Sequence, residues 1–360
     1  MNRALLAGLV MCLPLPLASA TRAAEESSRA FTSPSPDTPE YGHGLTPREA
    51  SEGWISLFDG ATSFGWAGAN VDTAGQDALL AGDAITSGEF GDYELRIDTP
   101  AGGDLLVGAA PRAIRLPAGT SGQTVEGVGR GPIRLGKGLA IRTLLIRPLG
   151  LSPVFSARST GEGGRPWKLI PHASLPPERQ AKWEELPDPS RRGGALSGLR
   201  AVGGPGCVEL AGEYDDFVLQ LTVCVRRPLA NAGVFFRCMP GVFLDGYEAQ
   251  IFNGCYDHDP AQPAKYATGA IDDRQNARRL ISRDGEPFSM TVIAAGPHVA
   301  TWVNGGQVID WTDDRKPNEN ARRGLRLGAG PIQLQAHDTN TDVEFRDIRV
   351  SKVEKPKAGV

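Results

Sequence analysis

Histidine is scarce in this chain, with five in 360 residues, and no Cys or Cys/His grouping has the spacing of a zinc site. After the N-terminus there is no apolar run long enough to cross a membrane. No charge of one sign dominates. A formal net charge of −4 leaves no electrostatic footprint for a polyanion, which argues against nucleic acid as a partner. Nor is there a long stretch with apolar residues at helical spacing, so a helical bundle is excluded. What is abundant is glycine, 45 residues, and proline, 28 residues. That composition suits many short strands joined by turns.

The first residues run from Arg3 through an apolar stretch, Leu5 to Leu17, to Ala18-Ser19-Ala20. This is the pattern of a secretory signal peptide over residues 1–20, too short to span a bilayer comfortably. A secreted or periplasmic chain is the expectation. Cys12 leaves with that segment, and Cys207, Cys224, Cys238 and Cys255 remain. In an oxidising compartment an even number invites pairing, with a Cys238–Cys255 clasp attractive; buried free thiols are the alternative.

Residues 21–50, rich in Ser, Pro, Glu and Ala, read as a flexible linker, with Thr46-Pro47-Arg48-Glu49 able to start a short helix. An internal repeat follows. Glu89-Phe90-Gly91-Asp92-Tyr93-Glu94-Leu95 returns as Glu213-Tyr214-Asp215-Asp216-Phe217-Val218-Leu219, and Ile141-Arg142-Thr143-Leu144-Leu145-Ile146 returns as Phe345-Arg346-Asp347-Ile348-Arg349-Val350. The repeat divides the chain into a shorter β-domain, 51–149, a complete one, 150–353, and a tail, 354–360. Strands dominate both. Alternation predicts them at 93–98, 217–225, 232–238, 247–252, 288–294, 298–303, 307–311, 332–337 and 343–350. Asn304-Gly305-Gly306 marks a hairpin. The fold class is all-β, a β-sandwich.

The most informative strand is Tyr247-Glu248-Ala249-Gln250-Ile251, with Val234-Phe235-Phe236-Arg237 before it. Alternation puts Glu248 and Gln250 on one face and Phe235 and Arg237 on one face of the neighbour. A carboxylate, an amide and a guanidinium together can grip a polyhydroxylated ligand. Gln333, Gln335 and His337 share a face of a later strand and form a similar polar stripe.

Gly53-Trp54-Ile55-Ser56-Leu57-Phe58-Asp59-Gly60, Gly246-Tyr247-Glu248-Ala249-Gln250-Ile251, Trp302-Val303-Asn304-Gly305 and Gln335-Ala336-His337-Asp338 resemble the bacterial 3-keto-disaccharide hydrolase family. The resemblance covers 150–353 in order and 51–149 only in outline, as a degenerate copy. It implies a concanavalin A-like jelly roll, secretion, and action on glycosides oxidised at C3. The chain departs from the family pattern at Asn253, where an acidic residue is common.

A ketone at C3 acidifies the C2 proton. A base removes it, the C1 substituent leaves, and water adds to give net hydrolysis. Such a site needs a base, a group for the enolate oxygen, and often a metal ion. Glu248 is the candidate base; its alternative is a carboxylate merely paired with Arg237. His337 is a candidate base or acid, and Arg237 a candidate enolate partner. Glu248 and His337 are also the candidate ligands for a divalent metal ion. Gln250, Gln333, Gln335, Asn253 and Trp302 are candidate sugar contacts, although a lone Trp is more often core. The loop Tyr256-Asp257-His258-Asp259 and the cluster Arg274, Arg278, Arg279 and Arg283 read as solvated surface.

Two further readings use the same sandwich: a carbohydrate-binding module without catalysis, or a cell-surface spacer. A retaining glycosidase of the laminarinase type would carry acids at alternate positions. Here Glu248 is followed by Gln250, which argues against it.

Overall fold

The computed structural model describes residues 30–33, 44–73, 75, 77–108, 111–127, 129–155, 165–188, 190 and 196–354. The segment read as a signal peptide, 1–20, lies outside them, as do most of the segment read as linker and residues 355–360.

Twelve strands of the C-terminal half position the site. They are β1 (Trp167–Ile170), β2 (Lys182–Pro187), β3 (Leu196–Val202), β4 (Gly206–Leu210), β5 (Phe217–Val225) and β6 (Ala232–Phe236). The remainder are β7 (Tyr247–Ile251), β8 (Pro287–Ala295), β9 (His298–Val303), β10 (Gly306–Thr312), β11 (Gln333–Ala336) and β12 (Asp342–Lys352). One antiparallel sheet has the order β2-β3-β12-β5-β8-β9-β10, with Ser152–Pro153 added against β12. The other has the order β1-β4-β11-β6-β7. Apart from the consecutive pairs β2–β3, β6–β7, β8–β9 and β9–β10, neighbours in space are distant in sequence, so the chain crosses repeatedly between the sheets. This is the jelly-roll arrangement of an all-β sandwich.

The inner faces follow from period-2 alternation. Phe217, Leu219, Leu221, Val223 and Val225 of β5 meet Val234 and Phe236 of β6, Ala249 and Ile251 of β7, and Leu334 of β11 in one core. Each fully buried large apolar side chain there contributes roughly 1.5–3 kcal/mol. The turn expected at Asn304-Gly305 forms, with φ of 46° and 76°. Both residues need the left-handed region that a tight hairpin demands.

The N-terminal half builds its own sheets. Tyr93–Thr99 lies between Thr120–Gly127 and Thr143–Pro148 in one, and Ile133–Leu135 lies between Ala84–Thr86 and Gly103–Val107 in another. Its core takes in Val218, Ile293, Ala300 and Trp302 from the outer face of the large C-terminal sheet. Over those residues the face is covered by protein rather than water, and Gln220 of β5, on the same face, donates through Nε2 to Gly53 O at 2.8 Å.

Two expectations need correction. Within the segment read as linker, Phe31–Thr32 pairs as a strand with Cys255–Tyr256, and the Phe31 ring meets Phe252 edge-on at 5.3 Å. Further on, the short helix expected from Thr46-Pro47-Arg48-Glu49 does form, as Pro47–Ser51 capped reciprocally by Thr46 and Glu49. The Cys238–Cys255 clasp is absent, and all four cysteines are free and buried. Strand β7 runs between the two, and five extended residues span about 16 Å, far beyond disulfide reach.

Candidate functional site

Strand register places the polar stripe. Along the outward face of the smaller sheet, one row reads Lys168, Glu209, Gln333, Phe235, Glu248. The next reads Ile170, Cys207, Gln335, Gly233, Gln250. The sequence anticipated β6, β7 and β11 as neighbours in kind but not their order. Hydrogen bonding brings Gln335 two strands from Gln250 with only Gly233 between.

Glu248 is the chemical centre of this face, with 2% of its surface exposed. Gln250 Nε2 donates to its Oε1 at 2.9 Å. Arg322 Nη1 stands 3.4 Å from its Oε2 and donates to Asp272 Oδ2 at 3.0 Å. Burial pushes the Glu248 carboxyl up to about 8; the Arg322 charge pulls it down, while Asp272 and Asp273 push it up. Burial wins because Arg322 is shared with Asp272 and partly exposed to water, so its attraction is screened.

Arg322 was missed in the sequence, and Asp272 was read only as part of the solvated loop that carries Arg274 and Arg278. Asp272 arrives because its backbone N–H donates to the Glu248 carbonyl at 3.0 Å, extending the sheet past β7. Arg322 comes from the irregular segment between β10 and β11. Its carbonyl is held by Arg274 Nη2 at 2.8 Å, and its guanidinium lies 5.5 Å over the Phe235 ring. No periodicity marks either residue; the doublet Arg322-Arg323 was the only trace.

The guanidinium expected from Arg237 is elsewhere. Arg237 has φ 51°, which ends β6 two residues early and turns the side chain away from Glu248. Buried, it donates to Asp216 Oδ1 at 2.9 Å, Asp215 O at 2.6 Å and Arg326 O at 3.1 Å, one bond from each of its three nitrogens.

Other expected contacts are also spent on structure. Gln333 Oε1 accepts Leu244 N–H, and its Nε2 donates to Val242 O and Glu209 Oε2, so it latches the β6–β7 loop. Asn253 falls on the opposite face of its strand. Its Oδ1 accepts Thr268 and Ser282 hydroxyls, and its Nδ2 donates to Asp284. Trp302 faces outward from the large sheet into the N-terminal core, where Nε1 donates to Ser56 O at 3.0 Å. It cannot stack on a sugar held at Glu248.

His337 follows β11, half-exposed, with Nδ1 3.0 Å from Asp338 Oδ2. Its pairing is with Asp338 rather than with Glu248. Among the described residues no group of three or more His, Cys, Asp and Glu side chains is placed to hold a metal ion. Glu248 and His337, the candidate metal ligands, lie in no such group. His258 instead lies within hydrogen-bonding distance of Ser33 O through its ring, and Arg278 bridges to Asp59 of the N-terminal half.

Gln250 and Gln335 remain. Both are buried, and the side-chain oxygen of each lacks a hydrogen-bond partner in the structure. Buried polar atoms are rarely left so. Glu248, Gln250, Gln335 and Arg322 thus form a polar cluster around a buried carboxyl on this face.

The family model described as 3-keto-alpha-glucoside-1,2-lyase-like domain matches residues 176–351. No curated protein matches the chain. Among solved structures, a candidate glycosyl hydrolase from Parabacteroides distasonis ATCC 8503 is 20% identical, with 56% of this chain and 98% of that chain covered at a TM-score of 0.39. A carbohydrate-binding module from Bacillus subtilis is 13% identical over 52% and 96%, at 0.34. A Bacillus subtilis protein of unknown function with a galectin-like fold is 13% identical over 56% and 94%, also at 0.34. Likenesses this loose carry no functional weight.

Proposed function

We propose, from the match of residues 176–351 to the model described as 3-keto-alpha-glucoside-1,2-lyase-like domain, that this chain cleaves the glycosidic bond of 3-keto-glycosides. The observation that carries the reading is a buried carboxyl, Glu248, lifted to about 8 and flanked by the Arg322 guanidinium. A base works best when its pKa lies near the working pH. A guanidinium beside it is where a developing enolate oxygen needs positive charge.

The Glu248 carboxylate takes the C2 proton, and the C2–H electrons pass into the C3 carbonyl as an enolate paired with Arg322. The electrons return, the C1–O bond breaks, and a C1–C2 double bond forms. The leaving oxygen takes the proton from Glu248. Water then adds across the double bond, hydrogen to C2 and hydroxyl to C1, which completes a hydrolysis. A carboxyl near 8 can both accept and return the proton.

A second reading, a carbohydrate-binding sandwich without catalysis, is favoured by a depression of about 250 Å³ at the far end of the same sheet, lined by Trp167, Lys168, Glu209 and Pro240. Trp167 offers an aromatic surface there, with Arg165 at 5.3 Å.

The deciding experiment is product formation from a 3-keto-glucoside by wild type and Glu248→Gln, with and without a chelator. Turnover that collapses in the variant supports the lyase reading, and chelator sensitivity adds a metal. Saturable sugar binding without turnover moves the assignment to the binding module. Export, the expectation from residues 1–20, is tested by N-terminal sequencing of the mature protein, with Thr21 expected first.

A further inference from the structure

Gly233 occupies the middle of β6, where glycine weakens a strand and packs nothing. A Cβ at this position would lie 2.7 Å from Glu248 Oε1 and 3.2 Å from Gln335 Oε1. Both oxygens therefore converge over Gly233, on space that only glycine leaves open. Two buried acceptors that face the same small space have no attraction for each other. Gln335 Oε1 has no donor in the structure. One proton on the carboxyl resolves this, because a neutral carboxylic acid gains a donor that the carboxylate lacks.

We propose that Gln335 accepts the proton carried by a neutral Glu248, and that Gln335 and Gln250 set, in opposite directions, the pH at which Glu248 becomes a base. Gln335 bonds the protonated form and holds the proton on. Gln250 Nε2, donating to Oε1 at 2.9 Å, bonds the ionised form more strongly and eases the proton off. The charged groups facing Glu248 are Arg322, which favours ionisation, and Asp272 and Asp273, which oppose it. Phe235, its cross-strand neighbour on β6, offers neither charge nor donor. Burial lifting the carboxyl to about 8 agrees with a neutral resting state. Gln335 and Gln250 are positioning residues here. The inference rests on Glu248 being the base of the proposed reaction.

The test has two readouts. The first is the acid limb of kcat/KM against pH on a 3-keto-glucoside, for wild type, Gln335→Met and Gln250→Met. The second needs no turnover: infrared titration of the protonated carboxyl band, assigned to Glu248 by its loss in Glu248→Gln. Wild type should show that band at pH 7, titrating out near pH 8. Gln335→Met should titrate about half to one pH unit lower and Gln250→Met a similar amount higher, the size of one hydrogen bond. If Gln335→Met does not fold, Gln335→Asn draws the acceptor back while keeping a polar residue, and should shift in the same downward direction. Shifts of the same sign, no shift, or a wild-type band absent at pH 7 would overturn the proposal. Opposite shifts in a protein that turns over no 3-keto-glucoside would support the proton arrangement and remove the enzymatic reading.

Discussion

Tyr247 Oη donates to Asp313 Oδ2 at 2.7 Å and accepts the Arg326 backbone N–H at 2.8 Å. The residue before Glu248 thus pins both ends of the segment that carries Arg322. Asp313 is further clamped by Arg315, which donates to both of its oxygens. Glu248, the proposed base, and its Arg322 guanidinium partner, far apart in sequence, are held in register through this hydroxyl. Replacing Tyr247 with Phe should cost about 1–3 kcal/mol by leaving buried partners unsatisfied. It should also lower kcat by about tenfold or more through misplacement of Arg322. Thermal melts and steady-state kinetics on one preparation check both.

Asp272 competes with Glu248 for Arg322. Asp272→Asn removes a negative charge that raises the Glu248 carboxyl and frees the guanidinium that lowers it. Both effects act in one direction, so the acid limb of the pH–rate profile should move to lower pH. A kinetic profile between pH 5 and pH 9 reads this directly.

Glu248 also makes stability depend on pH. Its folded value, about 8, lies above the ordinary glutamate value of 4.5, so between these pH values the folded state holds a proton that the unfolded state has lost. Stability therefore falls as pH rises from about 4.5 to 8, by up to a few kcal/mol. Glu248→Gln cannot ionise and should lose this slope, gaining on wild type most at pH 8–9. Urea denaturation at pH 5 and pH 8.5 measures the difference.

Asp216 ties the two halves of the molecule. Its Oδ1 accepts Arg237 Nη2 and Gly296 N–H, and its Oδ2 accepts Arg130 Nη1 from the N-terminal half. Asp216→Ala leaves two guanidinium groups largely buried without their shared carboxylate. The expected cost is about 3–5 kcal/mol, with earlier proteolytic cleavage between the halves than in wild type. Limited proteolysis followed by mass spectrometry locates the cut.

Trp302→Phe gives the contrasting result. The substitution removes the bond to Ser56 O and some packing near Phe90, whose ring centroid is 6.4 Å away. Stability should drop by about 1–3 kcal/mol, while KM for a 3-keto-glucoside should stay unchanged. A raised KM would return Trp302 to the sugar site.

Much of this was legible in the linear chain. Phe217–Val225 and His298–Val303 form over the residues that alternation marked, because a strand with a buried face must repeat every two residues. The same rule put Glu248 with Gln250, and Gln333 with Gln335, on shared faces. Asn304-Gly305 specified its hairpin through local backbone preference alone. Such properties depend on near neighbours, so the order of residues is enough to determine them.

Other properties depend on what packs against each face. Alternation correctly set Trp302 opposite Val299, yet only the N-terminal half covering that face makes it core. Arg237 looked like the partner of Glu248 by strand parity, until φ 51° turned it toward Asp216. Arg322 and Asp272 carry no periodic signal, since both reach Glu248 from irregular segments placed by long-range hydrogen bonds. The convergence of Glu248 and Gln335 over Gly233 requires three strands in one order. A sequence records which residues can share a face; which strands become neighbours, and hence where a buried carboxyl finds or lacks a partner, is decided by the packing of the whole chain.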